Sequence, residues 1–140
     1  MWLVYAFLSS ITAALVAILA KIGLKNIDST LATTIRSIIM AVFLVLVALS
    51  LKKFQGFSIN SFSNRDWILI ILAGIAGALS WLFYFLALKT GLATKVATID
   101  RLSLVFVIIF AAIFLGEKLG WKVIAGAILM VVGAIIITLK

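Results

Sequence analysis

The sequence predicts an all-α integral membrane protein with five transmembrane helices. Three observations carry that reading. Of 140 residues, 66% are hydrophobic and only 11% charged, where a soluble domain averages about 45–50% apolar and about 25% charged. Mean hydropathy is +1.40. The apolar residues gather into five runs, 2–20, 30–51, 67–88, 96–116 and 121–139, each near the ~20 residues that cross a hydrocarbon core of roughly 30 Å. Residues 1–140 are therefore read as one five-helix domain, multi-pass in the cell membrane. An odd number of crossings puts the termini on opposite faces, here side A for the N-terminus and side B for the C-terminus.

Composition also excludes several chemistries. With no cysteine and no histidine, disulfides, thiolate catalysis and His-based metal sites are ruled out. No glycine sits in a phosphate-binding loop, and no serine in a nucleophile elbow. The four acids stand far apart, so no carboxylate pair forms at helical spacing. Neither an enzyme nor a bound cofactor or metal is expected. The net charge of +8 is carried mostly by residues flanking apolar runs, which decorate membrane ends rather than bind nucleic acid.

The first run has no Lys or Arg before it and is read as a first helix, not a cleaved signal. Ser10, Ala14, Ala17 and Lys21 share one of its faces. Lys21 is either an interfacial lysine or an inward cation seeking an acid. Before the second run, Asp28 or Ser29 is the expected N-cap. Ser29, Thr33, Arg36 and Met40 line one face, with Arg36 ~10 Å beyond Ser29 along the axis. A snorkelling arginine nearly covers that distance.

The interval 52–66 carries Phe54, Phe57, Ile59 and Phe62 and is expected to lie on the interface at side A. Asn64 is the expected cap of the third helix, with Asp66 in its first turn. Trp2, Trp67 and Trp121 all begin segments on side A and form a belt. Trp81 lies ~21 Å further along than Trp67, beyond that belt. It is read as a packing residue or as the wall of a substrate cavity, its indole N–H wanting a partner. Tyr84 is either belt or cavity wall. Gly74, Gly77 and Ala78 predict a close-packing surface, and Gly126 and Gly133 a seam for a helix of this chain or of a second copy.

The fourth run holds the most demanding pair, Asp100 and Arg101. Residues 102–116 are free of charge but cover only about 22 Å, so the helix spans only if Asp100 lies in the membrane too. An acid or arginine at mid-membrane costs ~2.5–3.5 kcal/mol. Arg101 can reach toward the headgroups; Asp100 is too short, and needs a partner or a wet cavity.

The order of motifs resembles a known family. Tyr84-x-x-Ala87-Leu88, then Val96-Ala97-x-Ile99-Asp100-Arg101-Leu102-Ser103, then Gly116-Glu117 and a glycine-bearing last helix are similar to EamA-type transporters of the drug/metabolite transporter superfamily. Their small single-repeat bacterial members are the closer likeness, and Lys21 and the stretch from Asp28-Ser29 to Arg36 are also similar. The resemblance implies one five-helix repeat, where full-length relatives pair two of opposite orientation, with a substrate path between repeats near the membrane centre. Many relatives carry a proline just after the position of Leu102-Ser103. This chain has Leu104 there and no proline anywhere, so an unbroken fourth helix is the expectation.

The functional expectation is a secondary transporter of small-molecule substrates, working as a homodimer in the lipid bilayer. It would export small metabolites or cationic or amphipathic compounds. Asp100, Arg101, Arg36, Lys21, Trp81, Tyr84 and Ser103 are the candidate substrate- or ion-binding residues. Two other readings stay open: a non-transporting membrane partner subunit, and a component of a lipid-linked carrier flippase.

Orientation follows from loop charge. Side A holds Lys52, Lys53, Arg65, Lys118 and Lys122, and side B holds Lys21, Lys25, Lys89, Lys95 and Lys140, five against five. Counting Arg36 and Arg101 takes side B to seven, a difference too small to impose one orientation. Insertion both ways, giving antiparallel dimers, is the outcome put to the test; a weak but sufficient preference for side B in the cytoplasm is the alternative. Single-cysteine labelling at Lys140 should therefore occur from both faces, and labelling from one face alone rules the reading out. Two added lysines in the 52–65 loop or in the 89–95 loop should shift the population in opposite directions.

Overall fold

The computed structural model describes residues 1–58 and 61–139; Ile59 and Lys140, used above, lie outside the described residues. The described residues form α-helices with no strand among them. In chain order these are α1 (Trp2–Gly23), α2 (Ser29–Ser50), α3 (Asn64–Thr90), α4 (Ala93–Asp100), α5 (Ser103–Phe114) and α6 (Trp121–Thr138). Among the described residues five stretches are long and apolar enough to cross a membrane, because α4 and α5 together make the span Ala93–Phe114. Helices suit this medium because each satisfies its own backbone groups where no water can. Their exposed large side chains, Phe7, Leu46, Ile71 and Phe106 among them, have lipid as their solvent.

The chain divides into two compact units, Gly23–Lys89 and the pairing of Met1–Ile22 with Thr90–Lys140. In the Gly23–Lys89 unit, Asp28 caps α2 by accepting from the Thr30 and Leu31 N–H groups at 2.9 and 3.0 Å. The Leu31 N–H is the main reason its carboxyl titrates below the usual range; the Thr30 N–H and the charge of Lys89 add to the effect, against a smaller desolvation penalty. Ser29 and Thr33 are buried, and the Thr33 hydroxyl donates back to the Ser29 carbonyl at 2.7 Å. Leu24, Phe85 and Leu88 complete the buried set of this unit. These residues lie where α2 begins and α3 ends, so the tight packing is at the side B end.

The cap of α3 differs from expectation. Ser63, not Asn64, closes it: the Ser63 hydroxyl and N–H both donate to Asp66 Oδ2, at 2.7 and 3.0 Å, and the Asp66 N–H donates to Ser63 Oγ at 3.2 Å. An acid three residues after a serine makes this reciprocal cap, which Asn64 cannot form because its own third residue is Trp67. Beside it, the rings of Phe54, Phe57, Phe62 and Trp67 follow one another with centroids 6.1, 5.8 and 5.5 Å apart. That string of aromatic contacts joins the 52–66 interval to Trp67 of α3.

In the other unit, α6 packs on both α4 and α5. Lys95 of α4 donates to the Thr138 carbonyl at 2.9 Å, a cation at the helix end where orphan carbonyls and the dipole favour one. Between α5 and α6 lies a cleft of about 320 Å³ whose lining, including Val105, Ile109, Ile124 and Val131, is wholly aliphatic. It offers no group to orient a polar solute. The glycine surfaces stay open: a Cβ built at Gly74, Gly77, Gly126 or Gly133 meets nothing within 4 Å, so no described neighbour is seated against them.

The fourth crossing is the main departure from expectation. The helix stops at Asp100 and restarts at Ser103. Across the gap the ladder tightens: Leu102 N–H donates to Ile99, Leu104 N–H to Arg101 and Val105 N–H to Leu102, at 2.9–3.1 Å. These are three-residue bonds, the mark of a 3₁₀ turn, so the interruption needs no proline. Amides at 101–104 should accordingly exchange with solvent deuterium faster than those at 106–113, measured by hydrogen exchange in detergent or nanodiscs. Uniform protection from 96 to 113 would show a continuous helix instead.

Candidate functional site

Helix geometry carries Arg36 inward two turns after the Asp28 cap. Its guanidinium carbon lies 3.7 Å from the centroid of the Trp81 ring and 5.4 Å from that of Phe85. A cation over the face of an indole is attracted by the ring quadrupole, by about 2 kcal/mol or more when desolvated. Trp81, Tyr84 and Phe85 occupy one side of α3, with Trp81–Tyr84 and Trp81–Phe85 centroids at 5.7 and 6.0 Å in edge-to-face contact. Arg36 is half-buried, and its Nη1 is buried with no hydrogen-bond partner among the described residues. The stack holds α2 against α3 yet leaves one donor of the cation unmet.

Of the expected site residues, the structure therefore brings together Arg36, Trp81 and Tyr84. Phe85 was missed by sequence reasoning, although its place four residues after Trp81 sets it over the same helical face. Met40 leaves the inward face of α2, being 39% exposed.

The remaining candidates belong to the other unit. Lys21, at the end of α1, donates to the Gly91 carbonyl at 2.7 Å, in the turn between α3 and α4. Along its stripe, Ala17 is buried while Ser10 and Ala14 are exposed. Asp100 is the last residue of α4, Arg101 its C-cap, and Ser103 the first residue of α5; all three are exposed in the single chain. Arg101 has the charge sign that the carbonyl end of α4 favours, and Asp100 has the opposite one. Beyond α5, Gly116 takes a φ of +67°, which glycine adopts without a Cβ clash. That turn lets the Glu117 N–H donate to the Ala111 carbonyl at 3.2 Å, which gives the Gly-Glu element a structural reason.

Residues 1–139 match the EamA-like transporter family. The chain belongs to that family. It is 38% identical over 136 residues, 97% of this chain and 95% of the relative, to the "Uncharacterized transporter in cobO 3′region" of Sinorhizobium sp. It is also 28% identical over 138 residues to the "Uncharacterized transporter YvbV" of Bacillus subtilis (strain 168), covering 94% of this chain but 43% of that one. No solved structure matches it significantly. As an EamA-like protein with five spans, the chain is a multi-pass membrane transporter.

The stack makes a graded prediction. Trp81→Phe keeps a ring beneath Arg36 and should lower stability by about 1 kcal/mol, whereas Trp81→Leu removes it and should cost about 2 kcal/mol or more. Thermal unfolding in detergent measures both. Equal losses would mean that volume, not the cation–ring contact, holds Arg36.

Proposed function

We propose that this chain is a secondary transporter that exports small metabolites or cationic or amphipathic compounds. It works as an antiparallel homodimer, with Asp100 as its ionisable element. The observation that carries the reading is the break in the fourth crossing immediately after Asp100. Non-helical backbone at membrane depth is tolerated where protein or a water-filled cavity lines it, and interrupted helices are where transporters bind ions and substrate. An exposed carboxylate at that break needs such surroundings, because lipid offers it nothing.

A second copy in the opposite orientation is the reading's source of those surroundings. The Bacillus subtilis relative is only 43% covered by this chain, so that protein has room for a second unit of similar size. Two antiparallel copies would reproduce a paired, inverted arrangement from one sequence. In the cycle, the Asp100 carboxylate takes a proton from one side and releases it to the other, alternating between neutral and charged forms. Arg101 or Lys21 of the same unit supplies positive charge to the ionised form. Ser103 in that unit, and separately Trp81 and Tyr84 with Arg36 in the Gly23–Lys89 unit, are the candidate substrate contacts.

Asp100→Asn keeps the shape and removes the titration. In proteoliposomes with an imposed pH gradient, gradient-driven transport should be lost while oligomeric state and melting temperature stay near those of the wild type. Equal transport by both proteins at every pH tested rules out the coupling role. A large drop in stability with transport intact in the surviving protein makes Asp100 an ion-pair residue only.

A further inference from the structure

The geometry points to Arg36, stacked on Trp81 and Phe85, as an oxyanion site that takes the carboxylate of an amphipathic organic acid. This narrows the substrate class of the transporter reading above, on which it rests. Within the Gly23–Lys89 unit there are two acids, and both are committed to helix caps. Asp28 accepts the Thr30 and Leu31 N–H groups, and Asp66 accepts from Ser63. Asp28 is also two turns away from Arg36 along α2, ~12 Å. The unit thus holds a guanidinium in a low-dielectric setting without supplying a carboxylate of its own to it.

The aromatic faces offset part of the cost through the ring quadrupole, but they accept no hydrogen bond in the guanidinium plane. Nη1 stays buried and unmatched, and an unmet buried charged donor is expensive. Arginine's planar fork is shaped for two parallel N–H bonds to a carboxylate or phosphate, and stacking on an aromatic face leaves that in-plane edge as the binding direction. The half-buried Tyr84 ring beside Trp81 extends the apolar surface on which a ligand's body can lie. An oxyanion with an apolar body matches both halves of this arrangement. A bare cation matches neither.

The same chemistry could come from a lipid phosphate at the side B headgroup level, and the test separates the two sources. The full chain is placed in nanodiscs of neutral phosphatidylcholine, and binding of radiolabelled phenylacetate is measured by equilibrium dialysis. Phenethylamine, with the same ring and a cationic end, serves as competitor. The expected result is saturable phenylacetate binding that phenethylamine fails to displace. Arg36→Gln should weaken it by about tenfold or more, and Arg36→Lys, which keeps the charge and loses the fork, should fall between.

Binding unchanged in Arg36→Gln overturns the inference. Should that variant fail to fold, unchanged affinity in a folded Arg36→Lys protein does so. Displacement by phenethylamine as effective as by unlabelled phenylacetate overturns it as well. Absence of phenylacetate binding in neutral discs, with Arg36-dependent retention of phosphatidylglycerol, assigns the site to a headgroup and overturns the organic acid. Phenylacetate binding that appears only in Asp100→Asn shows that Asp100 already occupies Arg36, and it too overturns the organic acid. Arg36-dependent binding alongside unimpaired transport by Asp100→Asn removes the proton-coupling role and leaves this site standing. Loss of transport in Asp100→Asn with no phenylacetate binding in any protein does the reverse.

Discussion

A guanidinium that helix geometry sets ~10 Å beyond the start of a helix apolar enough to span a membrane must find electron density nearby, because lipid supplies none. In this protein Arg36 finds it in the face of Trp81, 3.7 Å away. Much of the Gly23–Lys89 unit is arranged consistently with that contact. Asp28 fixes the start of α2, so that Ser29, Thr33 and Arg36 fall on one inward face. Phe85 packs under the same cation and is itself buried. The unit's acids, which might have neutralised Arg36, are used on backbone N–H groups at the two ends. A cation held by rings rather than by a carboxylate keeps its charge available.

The other unit meets the same scarcity of polar partners through its backbone. A continuous helix spends every mid-membrane carbonyl and N–H on itself. Between α4 and α5 the chain instead makes three-residue bonds through Arg101 and Leu102, and the interruption falls beside the pair of charges that a bilayer tolerates least. Cations elsewhere are set against helix ends and turns: Lys95 on the Thr138 carbonyl and Lys21 on the Gly91 carbonyl. These cations, with Arg36, are thus held by local carbonyls and aromatic faces.

The glycine surfaces show a different division of labour. Gly74, Gly77, Gly126 and Gly133 allow close approach of another helix, yet no described neighbour comes within 4 Å of the space a side chain would take. Gly116 is used within the chain, for a backbone turn that an L side chain resists.

What the sequence determined by itself was whatever depends on local composition and spacing. Five spans follow from apolar length, the side A tryptophans from their position at segment starts, and the α2 cap from an acid beside a helical run. The axial distances of Arg36 from Ser29 and of Asp100 from the end of its apolar run follow from rise per residue alone. The Ser63–Asp66 cap was also legible in principle, since its spacing is local, but Asn64 competed for the role until the hydrogen bonds decided it. Two features belong to tertiary structure. Which aromatic ring receives Arg36 depends on how α2 and α3 face each other, and periodicity within one helix carries no information on the rotation of its neighbour. The break after Asp100 has no proline to announce it. A 3₁₀ turn differs from α-helix by one residue in its bonding partner, a choice that packing of α4 and α5 against α6 can tip and that residue type at 101–102 does not reveal.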